Sequence, residues 1–153
     1  MNEQEYAGFW IRVGASIIDS ILILLIITPI LMAIYGTNYW ENDSLIFGAW
    51  EVLLDYIFPA IAIIVFWIYK SATPGKMVLK LTIVDAKTGG KISTGQCIGR
   101  YLAYYISTLP LFLGLIWVGI DKRKQGWHDK LAGTVVIRNN LTEPVMFEGI
   151  EKK

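Results

Sequence analysis

Long uncharged stretches alternate with polar ones along this chain and predict its main elements. Three windows contain no Asp, Glu, Lys, Arg or His: residues 20–40, 56–69 and 101–120. Crossing the hydrocarbon of a bilayer takes roughly 20 mainly apolar residues. The first and third windows reach that length alone, and the second reaches it if residues 49–55 join it. We therefore expect an all-α membrane protein with three hydrophobic membrane segments, at about residues 9–35, 49–69 and 101–120.

The third segment carries helix-breaking residues. Pro110 removes a helix hydrogen bond near its middle, and Gly114 and Gly119 follow. One interpretation is a re-entrant segment, in which two half-helices dip into the membrane and return to the same side. The other is a true span that ends on the opposite side. We favour the re-entrant interpretation.

The distribution of charge predicts the orientation. Arg12 is the only basic residue before Lys70, and the other 13 lie from Lys70 onward. The loop at residues 35–50 has acids but no Lys or Arg, whereas residues 70–100 carry six basic residues and one acid. Basic loops stay in the cytoplasm. We therefore expect a protein of the cell membrane whose N-terminus and second loop lie in the cytoplasm. The basic stretch after Ile120 fits the same side only if the third segment is re-entrant.

The region between the second and third segments predicts a short helix at the membrane surface. Thr73 can cap its start, with Pro74 at the first helical position. Lys76 and Lys80 alternate with apolar residues, which is typical of an interfacial amphipathic helix. We expect basic residues here and after the third segment to contact anionic lipid headgroups; they are Lys76, Lys80, Lys122, Arg123 and Lys124.

Two β-prone runs predict a small cytoplasmic sheet. Residues 81–85 read as a strand, followed by a glycine-containing turn at 87–91, and residues 134–138 read as a second strand. If the chain returns to the cytoplasm after the third segment, the two runs can pair. We take residues 1–138 as the membrane domain and residues 139–153 as a mobile C-terminal tail.

Composition supports the membrane interpretation. The chain has 153 residues, of which 54% are hydrophobic and 18% charged, a balance that suits a bilayer better than water. A net charge of +1 gives no indication of nucleic-acid binding. Cys97 is the only cysteine, which excludes an intrachain disulfide and a cysteine-based metal site, and we expect it to be a small residue near a helix start.

Arg12 and Asp19 are the first candidate functional residues. They are seven residues apart, so on a helix they share a face at a separation of about 10 Å. A lone charge in hydrocarbon costs about 2.5–3.5 kcal/mol on insertion scales, so Asp19 needs a partner, a proton or water. Three roles stay open: a structural pin to the basic cytoplasmic layer, a proton or cation site, and an interface residue of little consequence.

Three further residues could carry charge chemistry. Asp55 lies toward the outer end of the second segment, as a second station on a cation path or as a headgroup residue. His128 next to Asp129 could act as a pH sensor, because histidine titrates near neutral pH. Asp129 could pair with Arg12 or cap the turn before Leu131. No catalytic or metal-binding constellation is present, so we expect neither an enzyme nor a cofactor.

The chain resembles the RDD family, small bacterial membrane proteins named for one arginine and two aspartates. The resemblance covers roughly residues 6–138 and rests on three motifs in order: YAGFWIRVGASIIDS, TPGKMVLKLTIVDAKTGG and QGWHDKLAGTVVI. It identifies Arg12 and Asp19 as the family's arginine and first aspartate. For the second aspartate it favours Asp129, with Asp85 as the other candidate. It implies a membrane location firmly and transport loosely, with cation/proton antiport reported for some members.

Two functions follow from the sequence. The leading one is a small transporter that exchanges protons for Na⁺ or another monovalent cation on Asp19, with Arg12 as counter-charge and the loop of His128 and Asp129 as an internal gate. Three membrane segments are too few to enclose a transport pathway, so this function requires a homo-oligomer. The alternative is a non-transporting scaffold or accessory factor whose basic residues bind anionic lipid or a partner protein.

Overall fold

A computed structural model describes residues 5–36 and 48–138, so the predicted tail at 139–153 lies outside the described residues. Helix α1 (Phe9–Tyr35) contains the apolar run and ends at Gly36, whose φ of 67° stops the helix. Most of its large side chains face outward, such as Leu25, which is 68% exposed. A helix with this much exposed apolar surface is stable only in an apolar surrounding.

Helix α2 (Ala49–Lys70) is the second apolar element, 22 residues long. It contains a π-helical stretch, Val52–Ile57, directly before its α-helical part, Phe58–Lys70. Pro59 has no N–H to donate to the preceding turn, and the Phe58 N–H bonds to the carbonyl of Leu53, five residues back. In the part of the chain that the structure describes, α1 and α2 are long and apolar enough to cross a membrane.

The third apolar element is broken, as Pro110 predicts. Helices α4 (Thr94–Thr108) and α5 (Leu113–Ile120) meet at an angle of 100°. Leu111 and Phe112 both have positive φ, 51° and 61°, which turns the chain sharply. A Cβ on Gly114 would lie 2.7 Å from the Cα of Ser107, so only glycine allows α5 to pack this closely against α4. Helix α4 begins at Thr94, before the uncharged window at residues 101–120, and therefore includes Arg100.

The remaining elements form what we call the surface layer, residues 71–93 and 121–138. It contains helix α3 (Pro74–Val78), strand β1 (Leu81–Asp85), helix α6 (Trp127–Ala132) and strand β2 (Thr134–Arg138). The strands pair antiparallel over the predicted residues, with Leu81 opposite Arg138. Tyr6 bridges to Ile137, so the segment before α1 joins the same sheet.

The core lies between the sheet and the membrane helices. Val135, Val136 and Ile137 are all fully buried, so β2 is covered on both faces. Ile83 and Val136 pack with Ala15 of α1 and Trp67 of α2, while Val135 packs with Val84 on the other face. Cys97 is buried near the start of α4, where Ser93 and Gln96 form a capping box. The sheet thereby ties together segments far apart in sequence.

Candidate functional site

Asp129 is the centre of a buried charge network. Its Oδ2 accepts a hydrogen bond from Arg12 Nη1 at 2.5 Å, and its Oδ1 lies 2.5 Å from Arg100 Nη1. Oδ2 also accepts from the Gly126 N–H at 3.0 Å, which caps the first turn of α6. Burial opposes the charged form, but Arg100 and Arg12 hold the pKa of Asp129 well below its usual range. The carboxylate therefore stays ionised at neutral pH.

Arg12 connects three parts of the chain through one guanidinium. Besides its ion pair with Asp129, its Nε donates to the Ala7 carbonyl at 2.9 Å and its Nη2 donates to the Lys124 carbonyl at 2.5 Å. The side chain is 10% exposed. These contacts fasten the start of α1 to the segment before it and to the loop that follows α5.

Arg100 completes the network and was not singled out from the sequence. Its side chain is fully buried, and Nη1 donates to Thr134 Oγ1 at 2.6 Å. The guanidinium carbon lies 5.4 Å from the centre of the Trp67 ring and 5.9 Å from that of Tyr104. A signal was present: Cys97, Arg100 and Ser107 share one face of α4 with Ala103, and that face is buried.

His128 is buried beside Asp129, and this burial disfavours the charge change that the predicted pH sensor near neutral pH requires. Its ring stacks on Tyr104 with centroids 4.0 Å apart, and Nε2 lies 3.5 Å from Asp129 Oδ1. Burial is the largest influence and lowers the pKa of His128 to about 3, although Asp129 acts in the opposite direction. Arg100 and Arg12, which share Asp129 with it, also disfavour a further positive charge.

Asp19 is not part of the Asp129 network. Its Oδ2 accepts from Thr73 Oγ1 at 2.5 Å and its Oδ1 accepts from the Gly75 N–H at 2.6 Å. The Thr73 hydroxyl was expected to cap its own helix, but it donates to Asp19 instead, and the carboxylate of α1 caps the first turn of α3. The backbone approaches closely here, since a Cβ on Gly75 would lie 2.1 Å from the Ala15 carbonyl oxygen.

A cavity of about 340 Å³ opens between α1, α2 and α4, next to Asp19. We call it the interhelical cavity. Asp19 and Lys76 are the two charged side chains in its lining, Trp67 and Tyr104 separate it from Arg100, and hydroxyl groups supply most of the remaining polar surface. The hydroxyl-bearing residues are Ser16, Ser20, Thr73, Tyr101, Tyr104, Tyr105 and Thr108. A cavity of this size, with a largely apolar lining and a few converging polar groups, is suited to a small solute or a headgroup.

Lys76 was predicted to contact anionic headgroups at the membrane surface, and the structure shows that it is buried. Its side chain is 6% exposed, and Nζ lies 5.6 Å from the centre of the Trp67 ring. Helix α3 has only five residues and packs against α1 with the side that carries Gly75 and Lys76, which leaves the apolar Met77 and Val78 exposed. Burial is the largest influence on Lys76 and lowers its pKa; Tyr104 and Asp129 oppose this shift, while Arg100 and Arg12 act in the same direction as burial.

The other predicted basic contacts differ in exposure. Lys80 and Lys122 are exposed. Arg123 is half-buried, donates to the Ala86 carbonyl at 3.0 Å and lies over the Tyr6 ring. Lys124 Nζ donates to the Gly119 carbonyl at 3.2 Å. Contact with lipid headgroups stays a prediction for these four residues.

Asp55 and Asp85 lie apart from the network and from the cavity lining. Asp55 is half-buried in the π-helical stretch of α2. Asp85 ends β1, where it accepts from the Lys87 and Thr88 N–H groups and from Gln96 Nε2. Burial raises the pKa of Asp85, but the hydrogen bonds together lower it. Within residues 5–36 and 48–138, no group of three His, Cys, Asp or Glu could hold a metal ion.

These features define a membrane protein: two helices long enough to cross a bilayer, a bent apolar pair, and a compact layer at one end. More particularly, the chain belongs to the RDD family, whose family profile matches residues 6–133. The network pairs Arg12 with Asp129, and Asp19 binds α3, so the residues assigned from the resemblance all make buried or half-buried polar contacts.

Similar bacterial proteins support this membership. YxaI of Bacillus subtilis is 31% identical over 156 residues, covering 88% of this chain and 98% of YxaI. The B. subtilis protein named "Uncharacterized membrane protein YteJ" is 26% identical over 145 residues, 89% of this chain and 83% of YteJ. RP437 of Rickettsia prowazekii is 43% identical over 76 residues, which are half of this chain and 42% of that protein. No solved structure matches the chain.

Proposed function

We propose that the protein is a small membrane transporter or transport component whose ion-binding site is the interhelical cavity. The observation that carries the proposal is the Asp19 carboxylate in the lining of a largely apolar cavity between three helices, together with several hydroxyl groups. Ionisable groups at membrane depth usually lie in ion or substrate pathways. In the specific form of the proposal, the Asp19 carboxylate binds a proton and a monovalent cation such as Na⁺ in alternation. No catalytic step is part of this proposal.

The geometry at Asp19 supports binding by an ionised carboxylate. Each of its oxygens accepts one hydrogen bond, from Thr73 or from Gly75, and a carboxylate has about four acceptor positions in total. Lone pairs are therefore left for a proton or a cation. The hydroxyls of Ser16 and Ser20 line the same cavity and offer further oxygen ligands of the kind that Na⁺ binds.

The pairing of the sheet supports a two-span topology. Strand β1 follows α2 and β2 follows the bent pair, and these strands pair with each other and with Tyr6 before α1. Chain segments in direct contact lie on one side of a membrane. The proposal is therefore that α1 and α2 cross the bilayer and that α4 and α5 re-enter, with the N-terminus and the surface layer in the cytoplasm. The basic residues after Ile120 then obey the positive-inside tendency.

Cysteine labelling in whole cells checks this topology. In a Cys97→Ser background, single cysteines at the exposed positions Lys87 and Lys122 should react with a membrane-impermeant maleimide only after the cells are permeabilised. A cysteine at Asn38, in the loop predicted to be external, should react without permeabilisation. Reaction of Lys122→Cys in intact cells, with Lys87→Cys protected, would show a true third span.

Proton flux in liposomes checks transport. The purified protein should move protons when Na⁺, Li⁺ or K⁺ is added to pH-sensitive vesicles, and Asp19→Asn should lower that flux at least about tenfold, because it removes the charge that binds the ion. Asp55→Asn is the matched control, since it removes a carboxylate of α2 outside the cavity lining. We expect it to leave flux within about twofold of the wild type.

Two results would contradict the transport proposal. One is the absence of cation-dependent proton flux in the wild type at a known orientation and lipid-to-protein ratio. The other is equal flux in Asp19→Asn and wild type. A pathway of so few helices requires a homo-oligomer. The elution volume of Asp19→Asn in detergent, compared with that of the wild type, shows whether the variant still folds and assembles.

A second function is favoured by a different observation. The Asp129 network and the Asp19 contacts both hold the surface layer against the membrane helices, and Lys80 and Lys122 on that layer are exposed. A scaffold or accessory factor that binds anionic lipid or a partner protein needs such a layer. Absence of flux together with binding to vesicles or partners that Lys80→Gln and Lys122→Gln weaken would favour this function.

A further inference from the structure

We propose that the interhelical cavity binds an anionic group, with the Lys76 ammonium as its principal contact. The ligand class is a singly charged anion, either a small free anion or the phosphate of an anionic lipid headgroup. The inference uses the cavity of the proposed function as its site, but it does not require that the protein transports anything.

Lys76 is a buried cation in the cavity lining that makes no ion pair with any residue in the described ranges. Its Nζ lies over the Trp67 ring, and the Tyr104 side chain, which also lines the cavity, is the largest electrostatic influence on it after burial. Buried charges in proteins are paired or hydrogen-bonded, because desolvation without a partner is costly. An anion in the cavity supplies that partner.

The buried polar atoms around Lys76 call for an acceptor. The Trp67 indole Nε1 is a buried donor in the cavity lining without a hydrogen-bond partner among the described residues; the Arg100 Nε and Nη2 donors and the Asp129 Oδ1 acceptor also lack one, but they do not line the cavity. Trp67 lines the cavity with Lys76, and Arg100 lies behind the Trp67 and Tyr104 rings. An anion accepts hydrogen bonds from several donors and donates none.

The charge balance points the same way. Arg12, Arg100 and Lys76 surround one carboxylate in this region, that of Asp129, which already contacts both arginines. Asp19 also lines the cavity, and each of its oxygens accepts a hydrogen bond, one from Thr73 and one from Gly75. Burial and the arginines disfavour the charged form of Lys76, and a bound anion favours it. The ligand therefore binds as the counter-ion of Lys76.

Iodide is a suitable free-anion probe because it quenches the fluorescence of a tryptophan that it contacts. Full-length protein in a neutral detergent should show a saturable iodide quench that Trp67→Phe removes. Nitrate should compete with iodide for the same site and so reduce the saturable quench. Lys76→Gln should weaken the apparent iodide affinity at least about tenfold, as expected for loss of a buried charged donor. Lys76→Arg should retain it, and Lys80→Gln, which removes an exposed lysine from the same segment, should leave it unchanged.

Native mass spectrometry distinguishes the lipid source. Protein taken from nanodiscs that contain phosphatidylglycerol in a phosphatidylcholine background should retain phosphatidylglycerol if a headgroup fills the cavity, and Lys76→Gln should lose it. A saturable iodide quench without retained lipid assigns a free anion. Non-saturable quenching, insensitive to nitrate and to Lys76→Gln, together with no lipid retention, would show that water alone fills the cavity and would overturn the inference.

The outcome is separable from that of the transport proposal. Anion binding is measured at equilibrium and needs no flux, so a protein with no proton flux and intact iodide binding refutes only the transporter. Flux that depends on Asp19 in a protein with no anion binding refutes only the anion site. If Lys76→Gln does not fold, nitrate competition in the wild type and the Trp67→Phe variant still decide the question.

Discussion

Asp129→Asn should destabilise the protein more than any other single charge substitution in the network. The variant leaves Arg12 and Arg100 buried without an anionic partner, and asparagine has one acceptor oxygen where the carboxylate had two. Removing one partner of a buried ion pair costs about 3–5 kcal/mol. We expect a fall of that size in the free energy of unfolding, measured by thermal or denaturant unfolding of the protein in detergent.

Asp121→Asn is the matched control for this prediction. It makes the same chemical change in an ion pair with Lys130, whose Nζ lies 2.5 Å from Asp121 Oδ1; the Lys130 side chain is 43% exposed and that of Asp121 is 14% exposed. The other oxygen, Oδ2, accepts from the Arg123 and Gln125 N–H groups, and the asparagine oxygen can still accept these bonds. Pairs open to solvent contribute about 0–1 kcal/mol. Equal stability of Asp129→Asn and Asp121→Asn would refute a structural role for the buried network.

A double variant isolates the cause. If the loss in Asp129→Asn comes from stranded arginine charge, then adding Arg12→Met should restore part of the lost stability, because it removes one of the two unpaired cations. If the loss came from packing around residue 129, the second substitution would add to it instead. A double-mutant cycle over Arg12 and Asp129 measures this coupling directly.

The local parts of this structure could be predicted from the sequence. The two long helices follow from uncharged windows of sufficient length, and the break in the third element follows from Pro110. Both strands were predicted at the residues where the structure has them. Each of these features depends on residues close together in the chain, where hydrophobic pattern and backbone chemistry decide the outcome.

The partners of the charged residues could not be predicted, because they lie far away in sequence. Asp19 binds Thr73 and Gly75, which are 54 and 56 residues further on. The burial of Arg100 and Lys76 depends on how α4 and α3 pack against other helices, and no local pattern specifies that packing. Of these contacts, only the pairing of Arg12 with Asp129 was considered from the sequence. Arg12 needed a charge partner from elsewhere in the fold, and Asp129 was a candidate for it.

Gly75→Ala is the prediction that tests the contact between α1 and α3 most directly. A Cβ on Gly75 would lie 2.1 Å from the Ala15 carbonyl oxygen and 2.9 Å from the Asp19 Cγ, and both obstacles belong to α1. Helix α3 must therefore move away, which stretches the hydrogen bonds from Thr73 and Gly75 to Asp19. Overpacking costs about 1–3 kcal/mol, and each hydrogen bond to a charged group contributes about 1.5–3 kcal/mol. We expect a loss of at least about 3 kcal/mol in the free energy of unfolding in detergent.

Gly99→Ala should change stability in the opposite direction, and this makes it the control for Gly75→Ala. Gly99 lies inside α4, and nothing is within 4 Å of the position that its Cβ would take. Alanine is favoured over glycine in a helix by about 0.5–1 kcal/mol, so this variant should be slightly more stable than the wild type. Gly14→Ala, on α1 itself, places a Cβ in ordinary contact at 3.6 Å from Leu79 Cδ1 and should be close to neutral. If Gly75→Ala were as stable as these two, Asp19 would not hold α3 by close backbone approach, and its carboxylate would be freer for an ion than the structure indicates.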